Sequence, residues 1–326
     1  MSNIQLYPLK FQPVYSYRIW GGDKLKTVLN KNYEEKNIGE SWEISDVKDN
    51  ETGVAEGFLK GQTLKQLIKE FKGDFVGNRV YALFGEDFPL LIKFIDAKTP
   101  LSIQVHPGNE LAKERHNSFG KNEMWYVMQA EKDAELIVGF NRKVTKENYS
   151  DHLNNATLSE ILNIEKVKKG DAFYIPTGRV HAIGAGVLLA EIQQTSNITY
   201  RIYDYDRVDA KTGVKRELHT DLALDAIDFK FYDDYKTVYN KKVNASNDLV
   251  HSPYFKTNII EVSGRLEKNY TNLDSFVIYM CVSGSAEITV NNIIYKLKTG
   301  ETLLFPAKIN KLKIDADSAV ILEIYL

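Results

Sequence analysis

The sequence predicts a mainly β protein built as two barrel modules with a few packing helices. Three observations lead there. Most of the 19 Tyr and 15 Phe sit in short runs with Val and Ile, bounded by Gly, Asn, Asp or Pro, which is how half-buried strands and their turns are written. Helical periodicity is rare. One block also recurs: Lys169-Gly-Asp-Ala-Phe-Tyr-Ile-Pro176 and Thr299-Gly-Glu-Thr-Leu-Leu-Phe-Pro306 share a Gly, an acidic residue, four mostly apolar residues and a Pro.

The repeat extends in both directions, since Met128 to Val138 aligns without gaps on Met280 to Val290 and Leu189 to Ile192 resembles Ile321 to Ile324. Gly and Pro at these strand edges fit the tight turns and interrupted ladders of antiparallel barrels and jelly rolls. The second copy is expected over about Ser252 to Leu326, with the polar stretch Tyr235 to Asp248 as connector. The domain division is therefore 1–240 and 241–326; one long sandwich is the alternative.

Taken along the chain, Thr63 caps a helix with Leu64, Leu67, Ile68 and Phe71 on one stripe, closed by Gly73. Thr157 and Glu160 form a capping box before Ile161 and Leu162. A third helix, within Arg216 to Ile227, aligns Leu218, Leu222 and Ala226.

Composition narrows the function. A chain of 326 residues with 43% hydrophobic and 26% charged residues can bury a core, which excludes a disordered chain. A formal net charge of -2 gives no field toward nucleic acid or anionic lipid, so neither partner is expected. The single cysteine, Cys281, allows no intrachain disulfide and no dithiol pair. The stretch Met1 to Pro13 has no apolar signal core and no run reaches about 18 apolar residues. A cytoplasmic protein is expected.

The strand Pro100 to Pro107 places Ser102, Gln104 and His106 on one face. A lone strand His is more often a hydrogen-bonded core residue than a ligand, but this one has company. Lys121-Asn-Glu123 opens the next apolar run, and Gly178-Arg-Val-His181 follows Pro176. Inward faces of neighbouring barrel strands converge, so two imidazoles, a carboxylate and an amide oxygen can meet around one divalent ion. The alternative is that Glu123 and Gln104 are ordinary polar strand residues. In the second copy Lys311 aligns with His181 and Ser275 with Glu123, which puts the chemistry in the first module. Further on, Glu191 and Gln193 share a face and Arg201 sits in a Tyr-flanked turn, while Arg201 and Arg207 also read as surface ion-pair residues. Glu323 stands where Glu191 does. Of the other histidines, His116 ends a polar helical stretch, His152 lies in an Asn-rich turn, His219 in a helix and His251 between the modules.

Gln104-Val-His106-Pro107, Lys121-x-Glu123, Gly178-Arg-Val-His181 and Thr199-Tyr-Arg201, in that order, resemble the type I mannose-6-phosphate isomerases in their short bacterial form. Ile19-Trp-Gly-Gly22 and Ile38-Gly-Glu-Ser-Trp-Glu-Ile-Ser45 resemble the same family, and the match runs from about residue 7 to the C-terminus. The resemblance implies two cupin modules, the first catalytic and the second metal-free, with one Zn2+ per chain on Gln104, His106, Glu123 and His181. It also implies Arg201 as the catalytic arginine and Lys93 and Lys121 as active-site lysines. The implied reaction interconverts mannose 6-phosphate and fructose 6-phosphate. One position departs from the family pattern: Asn197, four residues before Arg201, stands where the family carries Asp.

An aldose to ketose conversion moves a proton between adjacent carbons through an enediol, so the oxyanion and the proton carrier need stabilising. A metal polarises the oxygens, Lys121 and Arg201 can offset enediolate charge, and Glu191, a water on the metal and Lys93 are the candidate carriers. Arg201, Lys93 and Ser102 can meet the phosphate, Asn197 lies nearby in sequence, and Trp20 can stack on a sugar face or pack a barrel end. A sugar-phosphate-binding cupin that keeps the metal with little turnover is the alternative, motivated by Asn197; a metal-dependent oxygenase in the same barrel is a third reading. The sequence leaves the native metal and the oligomeric state open.

Overall fold

The run Val187-Leu-Leu-Ala-Glu-Ile-Gln-Gln194 is buried along its whole length, so a strand formed by it must be covered on both faces. The computed structural model, which describes residues 5–326, puts this strand, β10, inside a six-stranded antiparallel sheet. The sheet order is β1 (Val14–Gly22), β2 (Ile38–Ile44), β3 (Leu90–Ala97), β10, β5 (Glu123–Ala130) and β8 (Ala172–Ile175). A second sheet runs β11 (Tyr200–Tyr203), β4 (Ile103–Val105), β9 (His181–Ile183), β6 (Glu135–Phe140) and β7 (Leu162–Lys166). A third holds β12 (Ser246–His251), β13 (Lys256–Asn269), β17 (Lys311–Tyr325), β14 (Val277–Val290) and β15 (Ile293–Lys298), with β16 (Thr302–Phe305) paired to β14.

Side-chain alternation assigns the layers. Val187 and Leu189 of β10 meet Trp125, Val127 and Phe173 of their own sheet and Leu136, Val138 and Ile183 of the second, filling the first barrel. Leu188, Ala190 and Ile192 point the other way, onto Ile278, Met280, Leu322 and Ile324 of the third sheet. The interior of the second barrel is separate and contains Tyr279, Cys281, Ile288, Ile314 and Ile321. The first sheet is thus a wall shared with the neighbouring module on one side and with the first barrel's interior on the other.

The repeated block forms the same turn twice. Gly170 and Gly300 both adopt positive φ, 92° and 85°. The acidic residue that follows, Asp171 or Glu301, accepts from the backbone of Lys168 or Lys298. Beyond the turn the copies differ. Where the first barrel breaks into β9 and β10, the second runs as the single strand β17, which begins at Lys311, exposed.

Several expected elements are revised. The helix after Thr63 spans Leu64–Phe71 with its capping box closed by Gln66, but it ends at Lys72 (φ 48°), and Gly73 opens a separate turn, Gly73–Val76. Thr157 makes no side-chain cap; Leu158–Glu160 is one 3-10 turn and the chain then enters β7, because Ile161 and Leu162 are needed in the core beneath the second sheet. The third helix is confined to Thr220–Ala226, which leaves Leu218 outside it and exposed. His152 lies within a helix, Lys146–Asn154, rather than a turn, and Arg201 lies in β11, with its backbone paired to Gln104. The connector is shorter than Tyr235 to Asp248. The Tyr235 hydroxyl donates to Phe140 O and that of Tyr239 to Gly170 O, which ties this stretch to the first barrel, while Ser246 already starts β12.

Gly39 in β2 shows how tightly the barrel wall is built. A Cβ there would stand 2.7 Å from Arg18 Cβ and overlap the Trp20 ring. Gly39→Ala is expected to lower stability toward urea by about 1–3 kcal/mol, the usual cost of overpacking, and to shift Trp fluorescence. Unchanged stability and emission would contradict this packing.

Candidate metal centre

Two cross-strand rows face each other inside the first barrel. In the second sheet, His181 of β9 pairs with Gln104 of β4, which pairs with Arg201 of β11. In the first sheet, Trp42, Lys93, Glu191 and Trp125 are register partners across β2, β3, β10 and β5. Directly opposed residues share a face, so each row presents its polar side chains to the interior. Glu123 enters from the start of β5.

His106, Glu123 and His181 converge, each offering one ligand atom within 4.8 Å of the others, and all three are buried. His106 Nε2 is 3.3 Å from Glu123 Oε1 and His181 Nε2 is 3.7 Å from Glu123 Oε2. The outer ring nitrogens are fixed: His106 Nδ1 lies 2.9 Å from Ile198 O and His181 Nδ1 lies 2.8 Å from Arg179 O. A backbone carbonyl can only accept, so Nδ1 carries the proton and both Nε2 lone pairs face Glu123. Lys121 Nζ stands 2.8 Å from Glu123 Oε1, yet neither carboxylate oxygen receives a hydrogen bond of good geometry. Buried, unsatisfied acceptors are rare in proteins; two on one carboxylate, beside two aligned imidazole lone pairs, fit a divalent cation. Gln104 Nε2 is 3.3 Å from His181 Nε2, and its Oε1 accepts from Ser102 Oγ at 3.2 Å.

Burial sets the protonation states. It pushes His181 down to about 3, with neighbouring His106 adding to the effect, and it lowers His106 likewise. Burial would raise Glu123, but Lys121 and His106 together hold it well below the usual carboxylate range. Lys121 is raised because Glu123 and Glu191 outweigh its burial. The ligand set is therefore two neutral imidazoles and one carboxylate.

Next to this centre lies a cavity of about 410 Å³ lined by Trp20, Lys93, Ser102, Gln104, Lys121, Glu191, Asn197 and Arg201, within the size range of small-molecule sites. Glu191 accepts from Trp125 Nε1 at 2.9 Å and pairs with Lys93 at 3.2 Å. Its burial and the charge of Glu123 raise its pKa. A larger recess of about 690 Å³ on the second module is walled by Arg265, Lys296, Lys298, Glu287 and Asp315 and holds neither His nor aromatic residues, so it lacks the chemistry of the first.

Every candidate site residue thus reaches this region, with two qualifications. Trp20 is 3% exposed and packs on Gly39, as a wall more than a platform, and Asn197 is exposed on the lip shared with the neighbouring recess. The bland reading holds for Arg207, whose guanidinium is fixed by Asp204 at 2.6 Å and Pro100 O. The cavity residues that were not singled out include Arg18, Glu40, Trp42, Trp125, Asp209 and Arg216. Glu40 and Trp42 follow period-two alternation within Ile38 to Ser45, which was the available signal. Glu40 receives Arg18 through both oxygens, and, despite burial, Arg18 and Lys93 hold it down to about 2.

The fold and this centre define a cupin protein with a His–Glu–His group suited to metal binding beside a polar cavity. The chain belongs to the type I phosphomannose isomerase family. The family model for the phosphomannose isomerase type I catalytic domain matches residues 8–140, and that for the mannose-6-phosphate isomerase cupin domain matches residues 245–324. The chain is 35% identical over 312 residues to the probable mannose-6-phosphate isomerase GmuF of Bacillus subtilis, covering 95% of this chain and 96% of that one. It is also 35% identical to the mannose-6-phosphate isomerase ManA of the same organism, over 94% of this chain and 96% of the relative. The crystal structure of the Bacillus subtilis mannose 6-phosphate isomerase superposes with a TM-score of 0.90 at 30% identity, over 98% of this chain and 100% of the other.

The depressed His181 predicts acid sensitivity of metal-free protein. An unfolded His takes up its proton near pH 6.5, while the folded one refuses it until about pH 3. Stability therefore falls as pH drops below about 6.5, at roughly 1 kcal/mol per pH unit from this group. Urea unfolding of chelated protein at pH 7 and pH 5 is expected to show the loss and His181→Asn to reduce it; equal losses in both proteins would contradict the assignment.

Proposed function

We propose that the chain interconverts mannose 6-phosphate and fructose 6-phosphate through an enediol, using one Zn2+ in the first module. The observation that carries this is the buried His106–Glu123–His181 group with its unsatisfied carboxylate, set beside a cavity holding Lys121, Glu191, Lys93 and Arg201. Residues 1–240 form the catalytic cupin module in this reading and 241–326 the metal-free one, supported by the absence of a second His-containing group among the described residues.

Two imidazole nitrogens and one carboxylate oxygen suit zinc, and an open position is what catalytic zinc sites keep. Gln104 is the fourth ligand when its amide presents oxygen rather than nitrogen, a half-turn of a nearly symmetric group. The ion's contribution is to polarise the oxygens on C1 and C2 of the sugar. The protein supplies the rest. Glu191 is the proton carrier: its raised pKa suits a group that takes the C2 proton and returns it to C1, while the O2 proton is given up and O1 gains one. Lys93, 3.2 Å away, keeps Glu191 oriented and stabilises its anionic form. Lys121 and Arg201 stabilise charge on the enediolate, each such donor being worth about 3 kcal/mol. Ser102 holds the turned Gln104 amide by accepting from its nitrogen, and Trp20 walls off water. Asn197, on the lip, leaves the cavity with a buried carboxylate in Glu191, so its departure from the family pattern does not favour a binding-only protein.

Metal-replete protein is expected to convert mannose 6-phosphate and to stop on chelation, with activity restored by added Zn2+; no turnover in the replete protein would reject the reading. His181→Ala should lose bound metal and activity together. Arg201→Ala should keep stoichiometric metal and lose at least 100-fold in kcat/KM, equivalent to about 3 kcal/mol. Metal analysis beside the coupled assay separates the two, and loss of metal in the arginine variant would contradict its role.

A further inference from the structure

Arg201 lies on an edge strand. β11 has β4 on one side and no strand on the other, and the backbone groups that an edge strand turns outward must find partners elsewhere. At Arg201 both partners come from one residue. The Arg201 N–H donates to His219 Nδ1 at 3.1 Å, and the His219 N–H donates to Arg201 O at 2.7 Å. Two residues before His219, the Glu217 carbonyl accepts from Arg201 Nη1 at 2.7 Å. The segment 217–219 therefore holds this arginine at its backbone and at its guanidinium, while Arg201 Nε is buried without a partner and the side chain lines the cavity.

His219 gives up a local bond to do this. It stands just before the helix Thr220–Ala226 as its N-cap, where a side chain ordinarily accepts from the first turn, and it makes no such bond. Because Nδ1 accepts a backbone N–H, the ring proton is on Nε2, which lies 3.8 Å from Glu217 Oε2. That is the opposite tautomer to His106 and His181, whose Nδ1 atoms donate to carbonyls. The groups facing the ring are Arg201 and Tyr200 on β11, His116 at the end of the helix Asn109–His116, and Glu217 on its own segment. Burial and then Arg201 hold the His219 pKa below its ordinary value, with Glu217 opposing and His116 adding. A protonated ring donates from both nitrogens, so it cannot accept from Arg201 and brings a second positive charge toward the guanidinium.

We propose that His219 is a positioning residue for the reaction: its unprotonated Nδ1, acting with the Glu217 carbonyl, holds Arg201 where the guanidinium meets the enediolate, and protonation of His219 releases it. The role of Arg201 rests on the isomerase reading above; the contact with His219 does not. Charge on the enediolate develops only along the reaction, so a loosened arginine lowers kcat and leaves KM and bound metal near those of wild type. Activity controlled in this way falls as pH drops through the His219 titration, because the neutral ring is the working form.

NMR of zinc-loaded protein, isotope-labelled at its histidine rings and backbone, tests this beside the kinetics. At pH 8 the His219 ring, assigned by its absence in His219→Asn, is expected to carry its proton on Nε2 alone. As pH is lowered, the Arg201 amide should shift with the same midpoint as this ring, and kcat for mannose 6-phosphate should fall at least tenfold across it. His219→Asn, which offers Oδ1 in place of Nδ1 and does not titrate, should lack that step and keep kcat at pH 8 within about fivefold of wild type; any limb owed to Glu191 stays in both proteins. His219→Ala should lose at least twentyfold in kcat at every pH, with KM within about twofold and with wild-type zinc content and melting. A proton on Nδ1, an Arg201 amide that ignores the titration, a rate step that survives in His219→Asn, or a well-folded His219→Ala protein with wild-type kcat overturns the proposal. If His219→Ala does not fold, the spectra and the Asn variant decide. The expected tautomer and coupled amide shift in a chain that turns over no mannose 6-phosphate overturn the isomerase reading and leave His219 standing as the residue that holds Arg201.

Discussion

Everything in the first barrel is arranged around a buried carboxylate that its neighbours do not satisfy. Glu123 is 1% exposed, and an ionised group so far from water persists only where cations or donors replace its hydration. Lys121 does half of this, and the two imidazoles, held with their lone pairs inward by backbone carbonyls, cannot donate the rest. A divalent ion would complete the balance, and the same geometry that creates the deficit marks the place suited to it.

The second module shows the other solution to the same problem. Glu323 occupies the position of Glu191 in the repeat and is equally buried, but Lys268, Asn258, Ser246 and the Tyr270 hydroxyl all serve it. Despite burial, these partners hold its pKa below the ordinary value, whereas that of Glu191 is raised. Glu323 is thereby saturated, whereas Glu191 keeps one ion pair, one indole donor and a carboxylate neighbour. The two barrels thus share turns and apolar layers and separate in how completely their interior charges are partnered.

The strands and the site were legible because both follow period two. Ser102, Gln104 and His106 alternate along one strand, and the repeat placed His181 against Lys311, so convergence inside one barrel could be read from residues alone. The family resemblance supplied the roles. Less was visible where tertiary packing overrode local signals: Thr157 and Glu160 spell a cap, yet the core beneath the second sheet claims Ile161 and Leu162, and a strand begins at Leu162. Arg216 and Arg18 were missed because nothing local distinguishes an arginine paired to a neighbour from one that faces a cavity. Their place in the cavity wall comes from elements far apart in sequence, which only the fold brings together.

The central claim is that one divalent ion is held by the side chains of His106, Glu123 and His181. X-ray absorption at the metal edge of protein purified without a tag tests it most directly. The account predicts one ion per chain with two imidazole nitrogens in its inner shell, a signature that disappears in Glu123→Gln. Protein that retains no ion near stoichiometry, or an ion whose shell contains no imidazole, would contradict it.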